Sequence, residues 1–182
     1  MGINFSQKEE LLSKDFSPAI AWPDGLTVGL WLKTDLNTAD YARFFWIGNT
    51  LINRVPDNHF MLSVNQGKVK LSVKQNNVWQ TEISSANVVN DNNWHFVALR
   101  FTANGTATLF IDNQYQGKGT YNLPIPAMET VVLGMREDYW ELYQTTNFKG
   151  VIDDVWLKNQ ALSDQEISQI YASGQTEKQL MI

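Results

Sequence analysis

Trp94-His95-Phe96-Val97-Ala98-Leu99-Arg100-Phe101, then Thr102-Ala103-Asn104-Gly105, then Thr106-Ala107-Thr108-Leu109-Phe110-Ile111-Asp112, reads as two apolar-rich runs joined across a tight turn. Asn and Gly tolerate the positive φ that such a turn demands, so Asn104-Gly105 is the strongest turn signal in the chain. The two runs are therefore antiparallel strands. The same grammar recurs on either side. Upstream, residues 60–64, 69–73 and 78–83 are joined by Asn65-Gln66-Gly67-Lys68 and by Asn76-Asn77. Downstream, Asn113-Gln114 turns the chain towards 115–121, and residues 131–134 and 148–158 follow.

Near the start, Leu26, Val28, Leu30 and Leu32 alternate with Thr27, Gly29, Trp31 and Lys33, the period of a strand. Trp31 falls on the nominally outer side, which predicts cover on both faces. Phe44-Phe45-Trp46-Ile47 reads the same way, and Trp22, between Ala21 and Pro23, is placed to seal one end of a core. Many short strands at roughly eight-to-twelve-residue spacing indicate an antiparallel two-sheet sandwich. Helix–strand alternation is absent, so a parallel α/β sheet is not expected. No repeat, linker or low-complexity tract divides residues 1–182, which read as a single domain. One short C-terminal helix begins at Ser163. Ser163 and Glu166 form a capping box, Ile167, Ile170 and Tyr171 share a face, and Gly174 is expected to stop it in the left-handed conformation.

The composition excludes several functions. Among 182 residues, hydrophobic types make up 43% and charged types only 18%, with 17 Asn and 12 Gln taking the place of the missing charge. A net charge of −5 argues against nucleic acid as a partner. The lack of cysteine excludes disulfides and zinc–thiolate sites. No apolar run approaches the ~20 residues of a membrane helix, so membrane insertion is not expected. Met1-Gly2 leads into Ile3-Asn4-Phe5 without a basic leader. That start fits a domain taken from a larger exported protein, or a protein that works outside cells without a signal peptide, as virion components do. The expected location is extracellular, on a cell surface or in a virion.

Four segments taken in order resemble the LamG-like jellyroll domains of the laminin-G-like, concanavalin A-like superfamily. Residues 26–33 look like that family's early Trp-aliphatic-Lys strand, and Asn93-Trp94-His95-Phe96-Val97-Ala98 is similar to its Trp-His strand. In residues 107–113, Asn113 stands where the family's turn has Gly. The fourth segment runs from Phe148-Lys149-Gly150-Val151-Ile152-Asp153-Asp154-Val155-Trp156-Leu157 through Asn159-Gln160-Ala161-Leu162-Ser163 to Glu166-Ile167. The resemblance implies an all-β jelly-roll sandwich. It also implies a range of activities, from sugar binding and adhesion to virion decoration, so function must be argued from sites.

A glycosidase would need two carboxylates flanking the scissile bond, on alternate residues of one strand in the related glucanases. No such string exists, and Glu137-Asp138 with Glu141 lacks the alternation. There is no Gly-x-Ser-x-Gly, phosphate loop or His-Glu-x-x-His, and only two histidines. Of these, His95 reads as a packing histidine. No catalytic residue is assigned and the chain is not read as an enzyme.

Sugar binding instead needs flat aromatic faces beside a few polar groups. The long connection 135–144 has that mixture. Tyr139, Trp140 and Tyr143 are its candidate platforms, with Arg136 and Asp138 as polar partners; a lid over the sandwich edge is the competing reading. Trp79, just after Asn76-Asn77, is a further candidate, with a core role as its alternative. Loops 35–41 and 53–59 offer amides, acids and His59 for a rim.

The expected function is a non-catalytic module recognising a cell-surface or polymeric glycan. The alternative is a structural or adhesive module whose partners are other subunits of a virion or surface assembly. No cofactor is required. Family likeness implies a structural calcium ion at Asp153 or Asp154, oxygen ligands that suit it. Strict alternation would bury Asp153 with Val151, Val155 and Leu157, whereas a β-bulge would turn the pair outward.

Overall fold

The computed structural model describes residues 2–5, 12–49, 58–124, 127–134 and 148–179. The strands are β1 (Ile3–Phe5), β2 (Leu12–Ile20), β3 (Leu26–Lys33), β4 (Ala42–Gly48), β5 (His59–Asn65) and β6 (Lys68–Gln75). They continue with β7 (Val78–Val88), β8 (Trp94–Phe101), β9 (Thr106–Ile111), β10 (Gln114–Thr120), β11 (Met128–Leu133) and β12 (Gly150–Lys158), before the helix α1 (Asp164–Gln179). Two six-stranded antiparallel sheets result: sheet one in the order β1-β12-β3-β8-β9-β10, sheet two in the order β2-β11-β4-β5-β6-β7. This is the jelly-roll sandwich that the sequence implies.

The turns explain the pairing. Asn76 and Asn77 have φ of 49° and 61°, and Gln66 and Gly67 have 50° and 74°, so each hairpin closes on two left-handed residues. The turn into β10 lies one residue earlier than expected, at Asp112 (φ 50°) and Asn113 (63°). Asp112 is drawn into it because its carboxylate accepts the Phe96 amide at 2.8 Å.

Period-2 alternation then fills the space between the sheets. Leu26, Val28, Leu30 and Leu32 of sheet one face Phe45, Ile47, Phe60, Leu62, Leu71 and Val73 of sheet two, all buried, and Trp22 closes one end. The Phe60 and Phe101 rings meet across the sheets at 4.4 Å. Each such side chain removed from water contributes about 1.5–3 kcal/mol.

β1 and β2 are additions to the sequence reading. β2 carries Lys14, Asp15 and Pro18, a composition that a central strand would not tolerate, and it lies at the edge of sheet two. At the opposite edges, β7 and β10 approach each other. A Cβ on Gly119 would overlap Thr81 Oγ1, so glycine lets these strands close the side of the sandwich. Side-chain amides stitch the seam: Gln116 Oε1 accepts the backbone amides of Ala86 and Asn87 at 2.9 and 3.1 Å, and Asn87 Nδ2 donates to Gln114 at 3.0 Å. Here the abundant amides replace ladder hydrogen bonds.

The outer face of sheet one carries a second core under α1. Trp31, Phe96, Ala98 and Phe110 pack with Leu162 and Ile167, flanked by Trp94, Trp156, Ile170 and Tyr171. Trp31 stacks on Tyr171 at 5.8 Å with 17° between the planes. The capping box forms as expected: Glu166 N donates to Ser163 Oγ at 3.2 Å and Ser163 N donates to Glu166 Oε2 at 2.8 Å. Gly174, however, does not stop the helix, which continues to Gln179. A Cβ there would lie 2.5 Å from Trp31 Nε1, so this glycine is required by helix-to-sheet approach rather than by a positive φ.

Candidate functional site

Of the expected platform residues, Arg136, Asp138, Tyr139, Trp140 and Tyr143 lie outside the described residues; Trp79 lies within them. The turn at Asn76-Asn77 pairs Lys74 with Trp79, and the turn at Gln66-Gly67 pairs His59 with Lys74. Three adjacent strands of sheet two thereby bring His59, Lys74 and Trp79 into one row. Next to them on β4, Trp46 lies alongside Gly48, which pairs with His59.

The rings meet in sequence. Trp46 and His59 are 5.9 Å apart at 31°, His59 meets Trp79 edge-on at 5.6 Å and 90°, and Lys74 Nζ lies 5.5 Å from the Trp79 ring centre. Trp46, His59 and Lys74 are buried, while Trp79 is 56% exposed. The indole is thus held on a buried foundation and presented to solvent. The strand position that favoured a core Trp puts this one outward, because register places it on the outer face of an edge strand.

Amides set the rim. Asn58 Oδ1 accepts the Asn76 amide at 3.0 Å, fixing the hairpin tip. Gln75 exchanges two 2.8 Å hydrogen bonds with the backbone of Asn122, whose Nδ2 donates to Gln80 Oε1 at 2.8 Å. Val78 and Leu123 beside them are exposed. Further along the same outer face, Lys70 Nζ donates to Tyr41 OH and Glu82 at 3.1 Å. Burial alone would lower the Lys70 pKa, but these bonds raise it. Burial lowers Arg43 to about 10, which still leaves it charged at neutral pH. Aromatic surface and cations therefore share this face, with amides at its hairpin end, an arrangement suited to recognising a polar ligand.

The acidic pair of β12 has a different environment. A β-bulge between Asp153 and Trp156, with Asp154 at φ 48°, turns Asp153 away from the main core and returns Val155 and Leu157 to it. Lys178 from α1 reaches both carboxylates, at 2.6 and 2.8 Å, with the Trp94 ring centre 5.0 Å from its Nζ. Burial works to raise the Asp153 pKa, but hydrogen bonds from Lys178 and the Asp154 amide lower it. The ammonium supplies the countercharge that the sequence required there. Two carboxylates already joined to a lysine do not fit a calcium ion, which takes six to eight oxygens. Among the described residues no group of three or more His, Asp or Glu could hold a metal.

The geometry can be set beside known proteins. A family model, described as the concanavalin A-like lectin/glucanases superfamily, matches residues 12–168. The chain belongs to this superfamily. The native heptameric SAP-like pentraxin from Limulus polyphemus is a superimposable sandwich, with TM-score 0.69 and 18% identity over 93% of this chain and 81% of its own. Domains LG4-5 of the mouse laminin alpha1 chain give 0.64 and 15%, covering 85% of this chain and 40% of theirs. The binding domain of botulinum neurotoxin DC, solved in complex with SialylT, gives 0.67 and 13%, covering 92% and 40%. Likenesses at these identities concern the fold. No curated protein matches the chain.

For a lectin/glucanase-type sandwich, the sequence missed His59 and Lys74 as neighbours of Trp79. The signal was nonetheless present. Two hairpins closed by two-residue turns dictate that 59 faces 74 and 74 faces 79. Trp46 carried no such signal, because a bulge between Arg43 and Phe45 shifts the register of β4.

Proposed function

We propose that the protein is a non-catalytic binding module that recognises a cell-surface or polymeric carbohydrate outside the cell. A sugar ring stacks on the indole of Trp79, and hydroxyls are read by the amides of Gln80 and Asn122. The observation that carries the reading is the exposed Trp79 standing on buried Trp46, His59 and Lys74. A rigid aromatic offers contact area with few torsions to freeze. The botulinum neurotoxin DC binding domain, of which this chain matches 40%, was solved in complex with SialylT, which is in keeping with glycan recognition. Arg136, Asp138, Tyr139, Trp140 and Tyr143 form a proposed second contact.

The test is a glycan-array screen of the full chain, run with calcium and with EDTA, beside Trp79→Ala. A specific hit that survives EDTA and is lost in Trp79→Ala is expected. A hit unchanged by Trp79→Ala moves the site elsewhere, and Tyr139→Ala with Trp140→Ala then tests the second contact.

A second reading, a structural or adhesive module of a virion or surface appendage, is favoured by one observation. Val78, next to Trp79 in the chain, lies exposed, and an apolar side chain beside an aromatic suits protein anchors as well as sugars. Self-association on a sizing column, abolished by Trp79→Ala and without any glycan hit, would establish that reading.

A further inference from the structure

His95, at the start of β8, stands between two carboxylates from different parts of the chain. Its Nδ1 is 2.7 Å from Asp112 Oδ2 in the β9–β10 turn, and its Nε2 is 3.0 Å from Asp91 Oδ1 in the segment crossing from sheet two to sheet one. The imidazole is mostly buried, with 13% of its side chain exposed; Asp112 has 27% and Asp91 48%. An ionised carboxylate only accepts, and a neutral imidazole has one N–H. Both contacts are satisfied only when the ring carries two protons. A neutral ring must turn a lone pair towards one carboxylate oxygen.

Asp112 is the fixed partner. Its second oxygen accepts the Phe96 amide, and its own amide donates to Phe96 O at 2.8 Å. Asp91 is the exposed partner, held by Asn93 N at 2.9 Å and Asn93 Nδ2 at 3.0 Å within its own segment. Deprotonation therefore breaks the Asp91 contact. That segment touches both sheets, since Val89 N donates to Gly67 O at 2.7 Å and Asn92 N to Thr34 O at 3.0 Å. On the other side, Asn113 Nδ2 donates to Ser168 Oγ of α1 at 3.0 Å. The β3 partner of His95 is the apolar Leu32, and the nearby Lys178 is engaged by Asp153 and Asp154.

We propose that Asp91, His95 and Asp112 form a pH-operated latch that holds the crossing segment 89–93 to the sandwich and releases it at the Asp91 side when the imidazole loses a proton. Burial works to lower the His95 pKa, but hydrogen bonds to Asp112 and Asp91, with their charges, raise it above its ordinary value. Burial likewise works to raise Asp91, yet hydrogen bonds from Asn93 and His95 hold it at about 2. A His pKa raised on folding gives stability that is complete below the unfolded value of about 6.5 and is lost as pH rises through the folded value. The depressed Asp91 gives stability present above about 3.9 and lost as pH falls towards its folded value. The latch is closed between these limits.

The test follows the imidazole of His95 by NMR across pH 5.5 to 9, with amide exchange of Asn92 and Asn93 in the full chain. His95 should titrate above about 6.5, with protection of the two amides falling by about tenfold for each unit of the shift once intrinsic exchange is corrected. Asp91→Asn, at an exposed position that leaves the fold intact, should lower the His95 midpoint and remove the pH dependence of that protection. A His95 midpoint at or below the ordinary value overturns the latch. So does protection that stays constant through the titration, or a midpoint unmoved by Asp91→Asn.

Discussion

The two sheets carry similar aromatic side chains on their outer faces and put them to different uses. On sheet one, Trp31, Phe96 and Phe110 are buried beneath α1, with Trp31 stacked on Tyr171. On sheet two, Trp46 and His59 are buried, while Trp79 at the edge is open to solvent. An outward tryptophan on a strand is thus either a satellite core or a platform, and the strand itself does not say which. For Trp31 the cover is a helix whose residues come more than 130 positions later in the chain. Distance along the sequence, not local propensity, separates the two fates.

The strongest way to break this contrast is to truncate one tryptophan on each face. Trp31→Ala should cost about 3–5 kcal/mol in denaturant unfolding, because it leaves a cavity under α1. Equal costs for Trp31→Ala and Trp79→Ala would erase the distinction between core and platform.

The clamp at the end of the helix comes next. Lys178→Met leaves Asp153 buried without its cation and should destabilise by about 1–3 kcal/mol. Since the Asp153 pKa is lowered in the fold, its contribution is present above about 3.9 and lost as pH falls through the folded value. Wild type should therefore lose stability on acidification more steeply than Lys178→Met, and parallel acid profiles would show that the pair contributes nothing. At the other end of α1, Ser163→Ala removes the cap and should cost about 1 kcal/mol, read from the thermal midpoint.

The smallest stability effect is expected on the open face. Trp79→Ala should change unfolding by about 1 kcal/mol or less while removing the glycan binding proposed above. A large loss of stability there would make Trp79 a structural residue and move the binding site.

Much of the fold was legible because hairpin chemistry is local. Asn76-Asn77 and Gln66-Gly67 supply left-handed residues, and those turns determine the register that aligns His59, Lys74 and Trp79. The capping box at Ser163 was equally readable, since its partners stand three residues apart. What escaped was long-range. Gly174 looks like a helix stop until Trp31 is seen against it. Lys178, in a polar tail, has no local reason to be buried; its reason is Asp153, 25 residues earlier. His95 reads as packing until Asp112, 17 residues later, is seen at its Nδ1.

By itself, the sequence determined the sandwich, its antiparallel hairpins and the inward set of aliphatic side chains, because period and turn chemistry act over a few residues. Tertiary structure alone decided which aromatic face is covered, which carboxylates find a cation and which histidine is held between two acids. Those outcomes depend on which distant segments meet, and no local preference encodes that meeting.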